Sequence, residues 1–257
     1  MIEEREKAIR RIVQIAGEAV RTASPTAGLM EKEGRSNFVT AADLASEKII
    51  MDFIRENYPG DQILSEETVS NIQNPLAVDK LWVIDPIDGT NNFKSRQNYS
   101  AVSVGYIERG IIKIGAAYDP FRDELFFAKD GKGATLNGIK ITTGPLDNLS
   151  LATVATDNST YSSGTQHNLK IFLKLNPAPR ILVKGSAVLA MCEVAAGRID
   201  LYFHNYLKPW DNAAAFLIAK EAGACVKTIY GKSPDFISPS AVIGNESLVE
   251  QFLQQIK

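Results

Sequence analysis

Apolar residues recur at Ile9, Ile12, Val13, Ala16, Ala19 and Val20. Steps of three and four are the period of a helix with one face turned inward. The pattern covers residues 2–22 and ends at Ser24-Pro25, since a residue before proline is disfavoured in helix. Residues 25–38 lose the period, carry Gly28 and Gly34, and read as a loop. Thr40-Ala-Ala-Asp43 has capping-box spacing and opens a second helix, with Leu44, Ile49, Ile50, Phe53 and Ile54 as its buried face. After the turn at Tyr58-Pro-Gly60 the period shortens to that of strands. Gln62–Ser65, Leu81–Ile84, Tyr99–Ile107, Ile111–Tyr118 and Glu124–Ala128 are the strand segments, and residues 68–79 a loop. Glu108-Arg-Gly110, Asp130-Gly-Lys-Gly133 and Asn137-Gly138 supply the turns between them and after them.

Thr142-Thr-Gly-Pro145 reads as a junction, because the alternation changes there. Strands near 151–155, 180–184, 199–203, 224–228 and 241–243 now alternate with helices near 164–174, 186–197 and 211–222. A last helix turns Leu248, Val249, Phe252 and Ile256 inward. The expected organisation is an N-terminal α+β unit, residues 1–142, with two helices and an antiparallel sheet. A C-terminal α/β unit, residues 143–257, follows it.

A chain of 257 residues with 45% hydrophobic and 23% charged residues is an ordinary globule. A net charge of −2 gives no electrostatic footprint for nucleic acid. No apolar run is long enough to span a membrane, and the charged start Met1-Ile-Glu-Glu-Arg-Glu-Lys7 does not resemble a signal peptide. Cys192 and Cys225 lie far apart in apolar surroundings and read as core thiols of a reducing cytoplasm. With His167 and His204 as the only histidines, a zinc site or a Ser-His-Asp triad is disfavoured.

The chemistry concentrates in Leu81-Trp-Val-Ile-Asp-Pro-Ile-Asp-Gly-Thr-Asn-Asn-Phe93. An apolar strand runs into Asp85, Pro86 stops it, and Asp88-Gly89-Thr90 turns into a helix start. Carboxylates there can hold hard cations such as Mg²⁺, and free helix N–H groups can hold phosphate. An aspartyl-phosphate mechanism of the haloacid dehalogenase type needs two Asp residues two apart on extended chain, facing the same way. Asp85 and Asp88 are three apart with proline between, which favours metal ligation instead.

This stretch closely resembles the signature of the inositol monophosphatase family, in a superfamily of Mg²⁺-dependent, lithium-sensitive phosphomonoesterases. Pro209-Trp-Asp-Asn-Ala-Ala214 resembles that family's second signature, and Ser65-Glu-Glu67 its acidic pair after a short strand. The likeness runs over nearly the whole chain. It implies a layered α/β/α/β/α sandwich of the sugar-phosphatase type and a homodimer. It also implies two or three Mg²⁺ ions held by Glu66, Asp85, Asp88, Asp211 and the Ile87 carbonyl. By the same resemblance Thr90 and Glu66 orient a water, and the Gly89 and Thr90 N–H groups hold phosphate. Asp43 lies beside the metals, although its capping spacing explains it equally well.

Asp88, Asp211 and the segment Gly185-Ser186-Ala187 are expected to face the substrate. His204 stands seven residues before Asp211, where inositol-selective members carry Glu, and Lys184 could reach an anionic or sugar oxygen. Both can also be read as polar strand ends. Asn37-Phe38 replaces the family's usual Asp-Leu. The expected activity is hydrolysis of a small sugar or polyol phosphate such as inositol 1-phosphate. Fructose-1,6-bisphosphatase, adenosine 3′,5′-bisphosphate phosphatase and a non-enzymatic regulator keeping the fold are the alternatives.

Overall fold

The computed structural model describes residues 2–32, 37–68, 72–158, 162–177 and 179–257. The first helical period becomes α1 (Ile2–Thr22), and the Thr40 hydroxyl caps α2 (Ala41–Asn57) by accepting from the Ala42 and Asp43 N–H groups. Between them β1 (Met30–Glu31) and β2 (Phe38–Val39) pair antiparallel, within the stretch read from sequence as a loop. The middle of that stretch, residues 33–36, lies outside the described residues, as do 69–71 of the loop expected at 68–79.

A seven-stranded sheet follows in the order β3 (Gln62–Ser65), β4 (Lys80–Asp88), β5 (Ala101–Glu108), β6 (Ile111–Asp119), β7 (Glu124–Lys129), β8 (Ala134–Leu136), β9 (Ile139–Ile141). The short α3 (Thr90–Lys94) leaves the end of β4. The sheet is antiparallel except that β3 and β4 run parallel. Two-residue hairpins at Arg109-Gly110 and Asn137-Gly138 carry positive φ at both positions, as such turns require.

A second, five-stranded sheet has the order β11 (Arg180–Val183), β10 (Thr153–Thr156), β12 (Leu201–His204), β14 (Ala241–Gly244), β13 (Cys225–Lys227). Its helices are α4 (Ser162–Lys174), α5 (Ala187–Ala195), α6 (Pro209–Glu221) and α7 (Glu246–Ile256).

Three apolar layers separate these elements. Ile9, Val13 and Ile50 of α1 and α2 pack on Trp82, Val104 and Tyr106, one face of the large sheet. α5 and α6 fill the space between the sheets, with Val188, Met191 and Phe216 in one buried cluster with Phe126 of the large sheet and Tyr202 and Ile243 of the small one. α4 and α7 cover the outer face of the small sheet through Phe172, Val249 and Phe252. The order is therefore α/β/α/β/α, the layering the resemblance implied.

Two features bear on the site. A Cβ on Gly105 would lie 2.7 Å from the Ala213 Cβ, and one on Gly115 would lie 2.7 Å from the Ala214 carbonyl oxygen. α6, which carries Asp211, thus rests on β5 and β6 at a spacing only glycine allows. β4 also corrects an expectation. It does not stop at Pro86 but continues to Asp88, with its pairing to β5 shifted between Asp85 and Asp88. The bulge accommodates a residue without an N–H, so proline is tolerated inside the strand.

A second correction concerns α2. Leu44, expected inside, is 44% exposed, while Asp43, Ser46 and Glu47 are buried. The helix turns a polar stripe inward because that side meets the site, not the apolar core.

Among the described residues no helix is long and apolar enough to cross a membrane. Cys192 and Cys225 are both free thiols.

Candidate active site

The ends of β3 and β4 and the starts of α3, α5 and α6 open on one cavity of about 1100 Å³. Every candidate residue from the sequence lines it except Asp43 and Ser186. Those two reach it through other side chains. The Thr90 hydroxyl oxygen lies 3.1 Å from Asp43 Oδ1 and 3.0 Å from the Ile87 carbonyl oxygen. The Ser186 hydroxyl donates to Asp88 Oδ2.

Carboxylate oxygens of Asp85, Asp88 and Asp211 lie within 4.8 Å of one another. Asp85 is 1% exposed, and its Oδ1 has no hydrogen-bond partner among the described residues. Burial, then the charges of Glu66, Asp88 and Asp211, push the Asp85 carboxyl well above the usual range. Asp211 is raised by burial and by Asp88, although the Lys208 N–H donates to its Oδ2 at 2.7 Å. Asp88 is pushed up to about 7, mainly by burial. Val188 N–H at 2.9 Å and Ala187 N–H at 3.2 Å, at the start of α5, supply it with donors besides Ser186.

Three converging carboxylates, one with an orphaned buried oxygen, fit a hard divalent cation, which takes oxygen ligands and cancels the repulsion. Glu66 lines the same cavity, and its N–H donates to the Ile84 carbonyl at 3.2 Å, which fixes the turn after β3 beside β4.

Gly89 precedes the start of α3. Its φ of +91° is left-handed, and a Cβ there would lie 3.0 Å from the Gly185 carbonyl and 3.1 Å from the Tyr99 carbonyl. Glycine permits both the turn and the approach of α5's entry loop. That loop is held from below by Asp157, which accepts from the Gly185 and Lys184 N–H groups and from the Tyr202 hydroxyl at 2.9 Å.

His204 also lines the cavity; it is 5% exposed and its Nδ1 accepts from the Tyr206 N–H at 3.1 Å, which leaves the ring proton on Nε2. Burial holds its pKa below the ordinary histidine value. The Lys184 ammonium pairs with Glu193 at 3.1 Å and lies 4.3 Å from the centre of the Tyr99 ring. Glu193 also takes Arg122 Nη1 and the Tyr99 hydroxyl, each at 2.9 Å.

Several site residues were not singled out from sequence. Lys32 bridges Glu66 at 3.0 Å and Glu67 at 2.7 Å. Burial opposes its charge, but the two carboxylates prevail and raise it to about 12, while burial lifts Glu67 to about 7. Lys32 sits in a stretch with no period, so only the contact reveals it. Asp157 likewise carries no local motif. Glu47 had a faint signal, one helical turn after Asp43.

Residues 1–257 match the model of the inositol monophosphatase family. The Nus factor SuhB of Escherichia coli is 37% identical over 239 residues, covering 91% of this chain and 88% of that protein. Inositol monophosphatase 1 of Bos taurus is 32% identical over 251 residues, covering 94% and 90%. A solved IMPase/NADP phosphatase complexed with Mg²⁺ and phosphate superposes with a TM-score of 0.87 at 26% identity, covering 99% of this chain and 95% of that one. The layered fold thus has its counterpart in known structures, and the chain belongs to the inositol monophosphatase family.

Proposed function

We propose that the chain is a Mg²⁺-dependent phosphomonoesterase that hydrolyses a small sugar or polyol phosphate, such as inositol 1-phosphate, by direct attack of water. The observation that carries this reading is the Asp85–Asp88–Asp211 cluster, with its orphaned Asp85 oxygen, on one cavity with the glycine turn at the start of α3. Glu66, Asp85, Asp88, Asp211 and the Ile87 carbonyl would hold the metal. Bound Mg²⁺ supplies Lewis-acid stabilisation of the phosphate charge and an acidified water.

The chain's own groups do the rest. The Gly89 and Thr90 N–H groups, at the start of α3, hold phosphate oxygens. Thr90 Oγ1 donates a hydrogen bond to Asp43 Oδ1 and so offers its own oxygen as acceptor to the attacking water. Glu66 steadies the same water from the other side. His204 and Lys184 stand at the leaving-group end, where the polyol lies. Exposed Leu169 and Leu173 of α4 and Ile181 and Val183 of the edge strand β11 support a homodimer. Light scattering after size exclusion tests that state.

The deciding assay is phosphate release from inositol 1-phosphate, fructose 1,6-bisphosphate and adenosine 3′,5′-bisphosphate, with Mg²⁺ and with EDTA. Inositol 1-phosphate turned over fastest, and only with metal, is the expected result. Turnover that persists in EDTA, or in Asp88→Asn, removes the metal mechanism. A second reading, a regulator that keeps the fold, is favoured by the greater identity to the Nus factor SuhB than to inositol monophosphatase 1. Inertness on every phosphomonoester with Mg²⁺ present would select it.

A further inference from the structure

We infer that Glu47 is a positioning residue that holds the turn carrying Glu66 in the geometry the metal requires, an inference that rests on the metal-dependent reading above. Asp43, Ser46 and Glu47 lie three and four residues apart and so share one face of α2. Each reaches a different segment of the site. Asp43 meets Thr90 of α3. The Ser46 hydroxyl donates to the Pro86 carbonyl at 2.9 Å, inside the bulge between Asp85 and Asp88. Glu47 accepts from the Thr68 N–H at 3.0 Å with Oε1 and from the Thr68 hydroxyl at 2.7 Å with Oε2.

Glu47 is 5% exposed, and among the described residues no lysine or arginine pairs with it. Burying a carboxylate without a cation is costly. Both oxygens of this one are spent on a single residue, two positions after Glu66.

The arrangement has a mechanical consequence. The Glu66 turn is tied to β4 by its own N–H on the Ile84 carbonyl and, among the described residues, to α2 through Thr68. Lys32 draws on the carboxylates of Glu66 and Glu67 from above. Without the Glu47 anchor the described residues would leave Glu66 the Ile84 backbone bond and a 3.8 Å contact of the Thr68 hydroxyl with Met51 Sδ against that pull. α2 therefore serves as the common frame for three chain segments that are separate in sequence. This also explains why its inward face is polar and Leu44 is left outside.

The test is isothermal calorimetry of Mg²⁺ binding to the full chain and to Glu47→Gln, Thr68→Val and Thr68→Ser, with melting temperatures measured in EDTA. Glutamine keeps the shape of Glu47 but only one of its two acceptors. Glu47→Gln and Thr68→Val are each expected to weaken Mg²⁺ binding about 10- to 100-fold, the range found when a partner behind a metal ligand is lost. The double variant should be no worse than the stronger single one, and Thr68→Ser should retain wild-type affinity. Turnover at saturating Mg²⁺ should largely return in both weakened variants.

A lowered melting temperature with Mg²⁺ affinity within twofold of wild type would make Glu47 merely structural and overturn the inference. Should Glu47→Gln fail to fold, Thr68→Val, at an exposed position, decides the matter alone by the same criterion. Absence of Mg²⁺ binding in the wild-type chain would instead refute the metal-dependent reading.

Discussion

Stripped of metal, the acidic cluster leaves a signature in the pH dependence of stability. Asp88 titrates near 7 in the folded chain against an ordinary 3.8. Between those values the folded protein keeps a proton that the unfolded chain has released. Stability therefore falls as pH rises through this window and levels off on either side of it. At about 1.4 kcal/mol per pH unit, the gap amounts to about 4 kcal/mol from Asp88. Asp85, Asp211 and Asp43 shift in the same direction, and Glu67 joins them at about 7. For a chain of this size about 4 kcal/mol corresponds to roughly 8–16 °C in melting temperature.

Calorimetric melting in EDTA at pH 5 and pH 8 reads the effect directly. The metal-free protein is expected to melt roughly 10 °C lower at pH 8. Saturating Mg²⁺ should recover most of that loss, because a ligand that binds only the folded state stabilises it by mass action. Asp88→Asn, which cannot titrate, should flatten the slope by its own share. A metal-free melting temperature that is equal or higher at pH 8, and indifferent to Mg²⁺, would refute the reasoning, since the carboxylates would then be neither buried together nor in need of a cation.

Thr90→Val and Asp43→Asn should each lower kcat about 100-fold or more while calorimetric Mg²⁺ affinity stays near wild type, because neither side chain belongs to the Asp85–Asp88–Asp211 cluster. Gly89→Ala should cost at least about 1–2 kcal/mol from the left-handed backbone alone, and abolish turnover by driving the Gly185 carbonyl away, readable as a joint fall in melting temperature and kcat. Lithium should inhibit at fixed Mg²⁺, as the family resemblance implies; full activity across a lithium titration would exclude it. His204→Glu should shift kcat/KM toward inositol 1-phosphate over glycerol 2-phosphate by about ten- to a hundredfold, and an unchanged ratio would remove His204 from the polyol end.

What the sequence disclosed divides along a physical line. Elements governed by local periodicity were legible: α1 follows its apolar stripe over residues 2–22, and β3 falls on Gln62–Ser65. The acidic cluster was legible because Asp88 closes β4 just before the Gly89 turn and Asp211 lies in the first turn of α6, so that turn or cap chemistry stands beside each. Where a local rule met a tertiary demand, the tertiary demand won. Pro86 lies inside β4 because a bulge removes the need for its N–H, and the bulge is what brings Asp85 and Asp88 to bear on one point despite their odd spacing. Leu44 lies outside because α2 has two tasks, an apolar contact through Ile50 and Ile54 and a polar one through Asp43, Ser46 and Glu47. No period encodes the second task, since its partners are Thr90, Pro86 and Thr68 on three other segments. Lys32 and Asp157 escaped for the same reason: their meaning lies wholly in the carboxylates and N–H groups they meet across the cavity. A ligand can be read from the turn it sits on, whereas the residues that hold a ligand still are specified only by the fold that brings them to it.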